Sequence, residues 1–275
     1  MKPITANTSV LAIFGDPVGH SLSPVMHNGW IEDHGLDAVH VALPLKSEDP
    51  VAAFRALKSV GLRGANVTVP HKEAAARAAD RSDASVANVL RWEQSGLVSA
   101  FNTDGLGFID ALTEAAPDWR GRVRDVLILG AGGAAKGIAD ALSDHSITVA
   151  NRTFQRAEEL SRSVPRGRAE SWHELERAFS AADLIVQTTT LGMHGNESPD
   201  WPVHLCRANA IVVDIVYRPL ETPLLKAAAA RGLIVVDGLG MLIHQGARAF
   251  KLWFDIAPDT MLARQRLLAA LGEHA

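Results

Sequence analysis

Short β-branched runs alternate with helix-forming stretches along almost the whole chain, and this alternation limits the folds open to it. Residues 9–15, 38–45 and 65–69 read as strands. Helical stretches open at Ser23-Pro24, a helix-start pair of N-cap serine and first-turn proline, and cover 48–60 and 73–79. Residues 87–92 and 97–102, joined around Ser95-Gly96, read as a hairpin, and a helix follows over 104–115. A second series starts with a buried-type strand over 125–129, then a helix to about 143. Strands over 147–150, 184–187, 211–216 and 234–236 follow, with helices over 153–161, 222–231, 242–254 and 259–271. Such alternation gives parallel sheets with helices on both faces, an α/β architecture. The polar stretch 117–124 reads as a hinge between the two series. At 275 residues, one domain per roughly 150 residues also suggests two domains.

Composition narrows the partners. Hydrophobic residues make up 47% of the chain, enough for two cores. A net charge of −4 and a pI near 6.3 argue against nucleic acid or an anionic membrane as partner. The single cysteine, Cys206, excludes an internal disulfide and a cysteine-based zinc cluster, and no metal site is expected. The first ten residues lack a charged segment followed by a long apolar run, and no stretch approaches the roughly 18 apolar residues of a membrane span. The expectation is a soluble cytoplasmic protein.

Between the strand at 125–129 and the next helix lies Gly130-Ala131-Gly132-Gly133-Ala134-Ala135. Gly130-x-Gly132-x-x-Ala135 in a strand–loop–helix setting is the dinucleotide-binding pattern. The first glycine permits the tight turn, and the second lets the backbone approach a pyrophosphate. Ala135 still allows close helix–strand packing. The following strand ends at Asn151-Arg152-Thr153, with Arg156 one turn on. An NAD site would normally place a carboxylate there. Two guanidinium groups instead suit a 2′-phosphate, so the expected cofactor is NADP(H).

The first series carries polar residues at the ends of its strands. Lys72 follows the strand and Pro70, at the start of a helix, where open α/β sheets build sites. Ser21 and Ser23 follow the first strand, and two hydroxyls so spaced can hold neighbouring oxygens of a polyol or carboxylate; Ser23 reads equally as a helix cap. His20 reads as structural. Asp104, at a helix start, is open to a capping or a catalytic reading. Asn88 lies in an apolar run, where its amide needs partners. Tyr217, the only tyrosine, follows the strand at 211–216.

Together these segments resemble the shikimate dehydrogenase family over nearly the whole chain. The motifs that carry the resemblance are Gly19-His20-Ser21-Leu22-Ser23-Pro24-Val25-Met26-His27-Asn28, Asn66-Val67-Thr68-Val69-Pro70-His71-Lys72-Glu73, Asn102-Thr103-Asp104-Gly105, Asn151-Arg152-Thr153 and Gly240-Met241-Leu242-Ile243-His244-Gln245. The resemblance implies an N-terminal α/β substrate domain and a C-terminal Rossmann-type NADP-binding domain, with the last helices returning to the substrate domain. The expected bounds are 1–108 with 240–275, and 109–239. It implies Lys72 and Asp104 as the catalytic pair. Ser21, Ser23, Thr68, Asn88, Tyr217 and Gln245 would bind substrate. Gly130, Ala131, Gly132, Gly133, Ala134, Ala135, Asn151, Arg152, Thr153, Arg156, Val216 and Gly238 would bind cofactor.

The implied reaction is the reversible NADPH-dependent reduction of 3-dehydroshikimate to shikimate, a step toward chorismate and the aromatic amino acids, by a monomer or homodimer. Two other readings stand beside it: a dual quinate/shikimate dehydrogenase, and a non-catalytic NADP-binding regulator on the same fold. Ser23 and Arg152 argue against the first, and Lys72 with Asp104 against the second. The chain departs from the family pattern over 80–89, which is shorter than usual, and at Gln187-Thr188-Thr189, where Asn-Ala-Thr is usual.

Overall fold

The computed structural model describes residues 2–82, 84–193 and 196–272. The chain folds into two compact units, one formed by the chain up to Thr103 together with the chain from Ile243 onward, the other by Asp104–Leu242.

In the first unit, β1 (Ser9–Gly15), α1 (Ser23–Asp33), β2 (Ala38–Pro44), α2 (Pro50–Ala56), β3 (Leu62–Val67), α3 (Lys72–Ala78), β4 (Arg81–Ser82), β5 (Val89–Trp92) and β6 (Val98–Phe101) follow in order. Their sheet runs β2-β1-β3-β5-β6-β4. The hairpin expected over 87–102 forms as β5 and β6, so this sheet is mixed, whereas strand–helix alternation alone gives a parallel one. β5 pairs antiparallel with both β3 and β6. The hairpin at Gly96, whose φ is +82°, reverses the chain without a crossover. One face of the sheet packs Ala12, Phe14, Ala65 and Val67 against Phe54 and Ala75 of the helices α2 and α3.

The second unit holds α4 (Asp104–Ala115), α5 (Trp119–Arg122), β7 (Asp125–Leu129), α6 (Gly133–Ala141), β8 (Ser146–Ala150), α7 (Phe154–Arg162), β9 (Gly167–Glu170), α8 (Leu175–Ala181), β10 (Leu184–Gln187), β11 (Ile211–Asp214), α9 (Pro223–Ala230) and β12 (Ile234–Val236). The unit boundary falls within α10 (Gly238–Phe254), and α11 (Thr260–Leu271) belongs to the first unit. The second sheet is parallel throughout, in the order β12-β11-β10-β7-β8-β9. Counted from β7, that is the doubly wound order 3-2-1-4-5-6 read backwards, with its switch point between β7 and β10. The sequence explains why both faces are covered. Val126 and Ile128 enter one core with Ile138 and Phe108, while Leu127 and Leu129 enter another with Phe179 and Leu225. Alternate side chains of a strand point to opposite faces, so a continuous apolar run needs two cores.

Three local readings require correction. The stretch 117–124 is not a hinge between domains; it lies within the second unit and carries α5. Trp119 is fully buried there, and its indole donates to Thr113 Oγ1 at 3.0 Å. Ser23 is not a helix cap: Leu22 holds that position, without a side-chain capping bond. Helix α10 begins at Gly238, four residues before the expected start. The Asp237 carboxylate accepts from the Leu239 and Gly240 amides at 3.0 and 3.2 Å and so caps it.

Candidate active site

In the first unit, strand direction gathers the polar residues at one sheet edge. β1 and β3 run parallel, so their C-terminal ends lie together, and the segments carrying Ser21 and Thr68 leave from that edge. β5 runs the other way, which brings Asn88, just before it, to the same edge. Ser23 is buried as the first residue of α1, and its amide donates to Ser21 Oγ at 3.2 Å. The Thr68 amide donates to the Phe14 carbonyl at 2.8 Å, tying the end of β3 to β1. Lys72 is half-buried and opens α3. His71 beside it bonds through Nε2 to the Leu45 carbonyl at 2.8 Å, which requires the Nε2–H tautomer.

Asn88 finds the partners its buried amide needs. Its Oδ1 accepts from the Thr103 amide at 2.7 Å, and its Nδ2 donates to Thr103 Oγ1 at 2.9 Å and to Gln245 Oε1 at 3.0 Å. The 80–89 segment, where the sequence departs from the expected pattern, seats Asn88 as a buried residue. Val86 and Ala87 are buried, and the Ala87 amide donates to the Lys72 carbonyl at 2.9 Å. Asp80 holds the start of that segment by accepting from Lys58 at 2.5 Å and from the Val98 amide at 2.8 Å. Asp83 lies outside the described residues. Thr103 lies in the Asn102-Thr103-Asp104-Gly105 motif, but the sequence assigns it no role. Its contacts join positions 15 and 142 residues away, and no local pattern signals them.

Asn66 shares a sheet face with His40, Leu11 and Ile13 by register. His40 Nε2 lies 3.1 Å from Asn66 Oδ1, and the His27 ring stacks on His40 with centroids 4.5 Å apart. Both rings are buried, against Trp253 on α10. Burial, and for His27 also the adjacent His40, pushes both imidazoles below their ordinary range, His40 to about 4. The pair is neutral at physiological pH.

In the second unit the glycine loop follows β7, beside the switch point. Gly130 has φ +110°, and a Cβ there would lie 2.5 Å from Thr188 Oγ1, so only glycine fits. Gly132 is the N-cap of α6, and a Cβ on it would meet nothing within 4 Å. No side chain caps this helix, so its first amides face outward into space that a phosphate can enter. Ala131, Gly133 and Ala134 are partly exposed around it, while Ala135 is buried in the core. These residues fit a dinucleotide pyrophosphate. Arg152 and Arg156 are exposed beyond β8, flanking Thr153, while Asn151 Nδ2 donates to the Thr153 carbonyl at 2.9 Å.

Asp104 is buried in the first turn of α4, and Tyr217 lies just beyond β11; both belong to the second unit. The turn that carries Val216 and Tyr217 is held by buried Asp214. Its Oδ1 accepts from the Val216 amide at 3.0 Å and from Gln187 Nε2 at 3.3 Å, and its Oδ2 accepts from Thr222 at 2.7 Å. Burial nevertheless raises the Asp214 carboxyl to about 6, and burial also raises the Tyr217 phenol. Gln187, at the departure from the family pattern, is fully buried, and its Nε2 also donates to the Leu191 carbonyl at 3.0 Å. It is a structural anchor for the loop after β10. Gly238 packs on the Ile215 carbonyl more closely than any Cβ allows. Among the described residues, no group of three or more His, Cys, Asp or Glu side chains could hold a metal ion.

Known proteins share this arrangement. Residues 13–89 match the shikimate dehydrogenase substrate binding domain, residues 114–198 the shikimate/quinate 5-dehydrogenase family, and residues 238–268 the shikimate 5′-dehydrogenase C-terminal domain. A shikimate dehydrogenase (NADP(+)) of Dinoroseobacter shibae is 40% identical over 273 residues, covering 96% of this chain and 98% of the relative. This chain belongs to the shikimate dehydrogenase family. Solved members superpose closely. A shikimate dehydrogenase in complex with NADP+ has a TM-score of 0.88 and 33% identity, covering 98% of both chains. The Thermus thermophilus shikimate 5-dehydrogenase in complex with NADP(H) and shikimate has a TM-score of 0.83 and 34% identity, covering 96% of this chain and all of its own. The fold is therefore the family's, an N-terminal substrate domain and a Rossmann-type domain.

Proposed function

We propose that this chain catalyses the reversible NADP-dependent reduction of 3-dehydroshikimate to shikimate, in the shikimate pathway. The observation that carries the reading is the gathering of Ser21, Thr68 and Asn88 at one sheet edge, with Gln245 bonded to Asn88. In this reading Ser21 and Ser23 hold the substrate carboxylate, while Thr68, Asn88, Tyr217 and Gln245 hold its hydroxyls. Gly130 to Ala135, Asn151, Arg152, Thr153, Arg156, Val216 and Gly238 hold the cofactor, with the arginines on the 2′-phosphate. Bound NADPH supplies a hydride to the ketone carbon.

The protein must then stabilise the charge that gathers on the ketone oxygen and deliver a proton to it. Lys72 is the group proposed for both. An ammonium neutralises a developing alkoxide and carries a transferable proton, and Asp104 is proposed as the second member of the catalytic pair. Run backwards, Lys72 takes the proton from the hydroxyl of shikimate. The enzyme is further proposed to act in the cytoplasm as a monomer or homodimer, which sedimentation would distinguish.

A spectrophotometric assay of shikimate and quinate against NADP and NAD tests the reading. Turnover should be greatest with shikimate and NADP. Comparable turnover with quinate would make it a dual-specificity enzyme, and none with any pair would favour a non-catalytic NADP-binding regulator.

A further inference from the structure

Thr103 stands between two amides whose orientations it decides. Its backbone N–H can only donate, so the atom of Asn88 that lies 2.7 Å from it is the amide oxygen. The other end of that amide is then a nitrogen, and a nitrogen can only donate. The atom of Gln245 that lies 3.0 Å from Asn88 Nδ2 is therefore the oxygen. It follows that the remaining end of Gln245 is its NH2 group, turned away from Asn88. A chain of two hydrogen bonds thus transmits the polarity of one backbone amide to the outer end of a side chain 142 residues further on.

The Thr103 hydroxyl locks the same arrangement. It accepts from Asn88 Nδ2 at 2.9 Å, and its single proton goes to the Gln245 carbonyl at 3.0 Å, nearer than Asn88 Oδ1 at 3.2 Å. Both Thr103 and Asn88 are buried, so water does not compete for these groups. The hydroxyl therefore fixes the backbone of α10 at Gln245 as well as the amide of Asn88.

We propose that Thr103 is a positioning residue that sets which end of Gln245 is offered to substrate, presenting an NH2 donor to a hydroxyl oxygen. The inference rests on the reading that Gln245 holds substrate. Thr103 itself touches neither reacting group in this account; it acts through Asn88 and Gln245.

Thr103→Val keeps the shape and removes the hydroxyl, taking away the acceptor 2.9 Å from Asn88 Nδ2 and the side-chain donor 3.0 Å from the Gln245 carbonyl. The KM for shikimate should rise about tenfold or more, as expected when buried polar groups lose a partner. kcat should change less than KM, and the KM for NADP should stay within about twofold, because the effect is confined to substrate binding. Thr103→Ser, which restores the hydroxyl, should recover most of the loss. A merely structural threonine would instead lower the amount of active enzyme without splitting the two KM values.

Gln245→Ala separates the two levels of the argument. If it leaves the KM for shikimate unchanged, the reading of Gln245 falls and the inference falls with it. If it raises that KM while Thr103→Val does not, the positioning role alone is overturned. Serine no better than valine would overturn it too. Should the valine variant not fold, Thr103→Ala against Thr103→Ser, read by shikimate binding in a calorimeter, makes the same comparison.

Discussion

Lys72 occupies a position that helix stability does not favour. It is the first residue of α3, at the end of the helix where the backbone dipole is positive and a cation is opposed. Glu73 beside it is the residue the helix would choose there. Replacing Lys72 by Ala should therefore relieve an unfavourable interaction with the helix dipole. The same change should lower kcat by about 10²–10⁴-fold with a much smaller change in KM, the range typical of a lost acid/base group. Near-normal kcat would remove Lys72 from the proposed chemistry. Arg152 makes a second prediction at this scale. If it meets the 2′-phosphate, Arg152→Ala should raise the KM for NADP about tenfold or more, the value of one charge-assisted hydrogen bond. It should leave the KM for NAD nearly untouched, and equal losses with both cofactors would rule that contact out.

At the scale of elements, the loops after β7 and β11 are held by opposite means. Gly130 holds the first because nothing larger fits. Gly130→Ala adds both a strained φ of +110° and a contact 2.5 Å from Thr188 Oγ1. It should cost about 1–3 kcal/mol of stability, visible as a lower melting temperature. The second loop is held by Asp214 and its three donors. Its carboxyl sits at about 6 in the fold against an ordinary 3.8, so the folded chain binds this proton more tightly than the unfolded chain. Its contribution to stability is present in full below about pH 4 and is lost as pH rises through about 6. Asp214→Asn has no such proton. The difference in melting temperature between wild type and variant should therefore shift against the wild type from pH 4 to pH 7. A constant difference would show that Asp214 does not titrate in that window.

Much of the element order was legible locally. β1, β7, β10 and β12 lie where their β-branched runs end at glycine, polar or helix-start residues. Of the elements that escaped, α8 among them, three lack a local signal. β4 is two polar residues, and β9 is Gly-Arg-Ala-Glu, with no β-branched residue to mark it. Both are strands only because a neighbouring edge accepts their backbone. α5 sits in a polar stretch and is pinned by one buried tryptophan. Of the candidate site, the single-residue candidates were readable from motif and position, whereas Thr103 and its bonds were not, because hydrogen bonds across long separations leave no periodicity.

Across the molecule, the two units carry acid sensitivity of opposite sign. In the first, His27 and His40 are buried and neutral, with both imidazoles held below their ordinary range. The groups that face them are Asn66, Trp30, Phe250 and Trp253. None of these carries a charge to compensate a proton. Between about pH 6.5 and 4 the unfolded chain binds protons that the folded unit refuses. The stability present above 6.5 is therefore lost as pH falls through that window. For His40 alone this amounts to about 3 kcal/mol. His40→Gln, which can still donate to Asn66, should flatten the fall of the melting temperature from pH 7 to pH 5; an unchanged slope would clear His40 of that role.

By itself the sequence determined the period of its strands, the glycine loop after β7, the arginines after β8 and the charge balance. Each depends on neighbours within a few residues, where backbone conformation and helix dipoles act. Only the tertiary structure decided the pairing of β5 with β3, the burial of His27 against His40, and the meeting of Asn88, Thr103 and Gln245. These depend on which residues share a sheet edge or face once water is excluded, and the cost of a buried, unpaired polar group is what selects their partners.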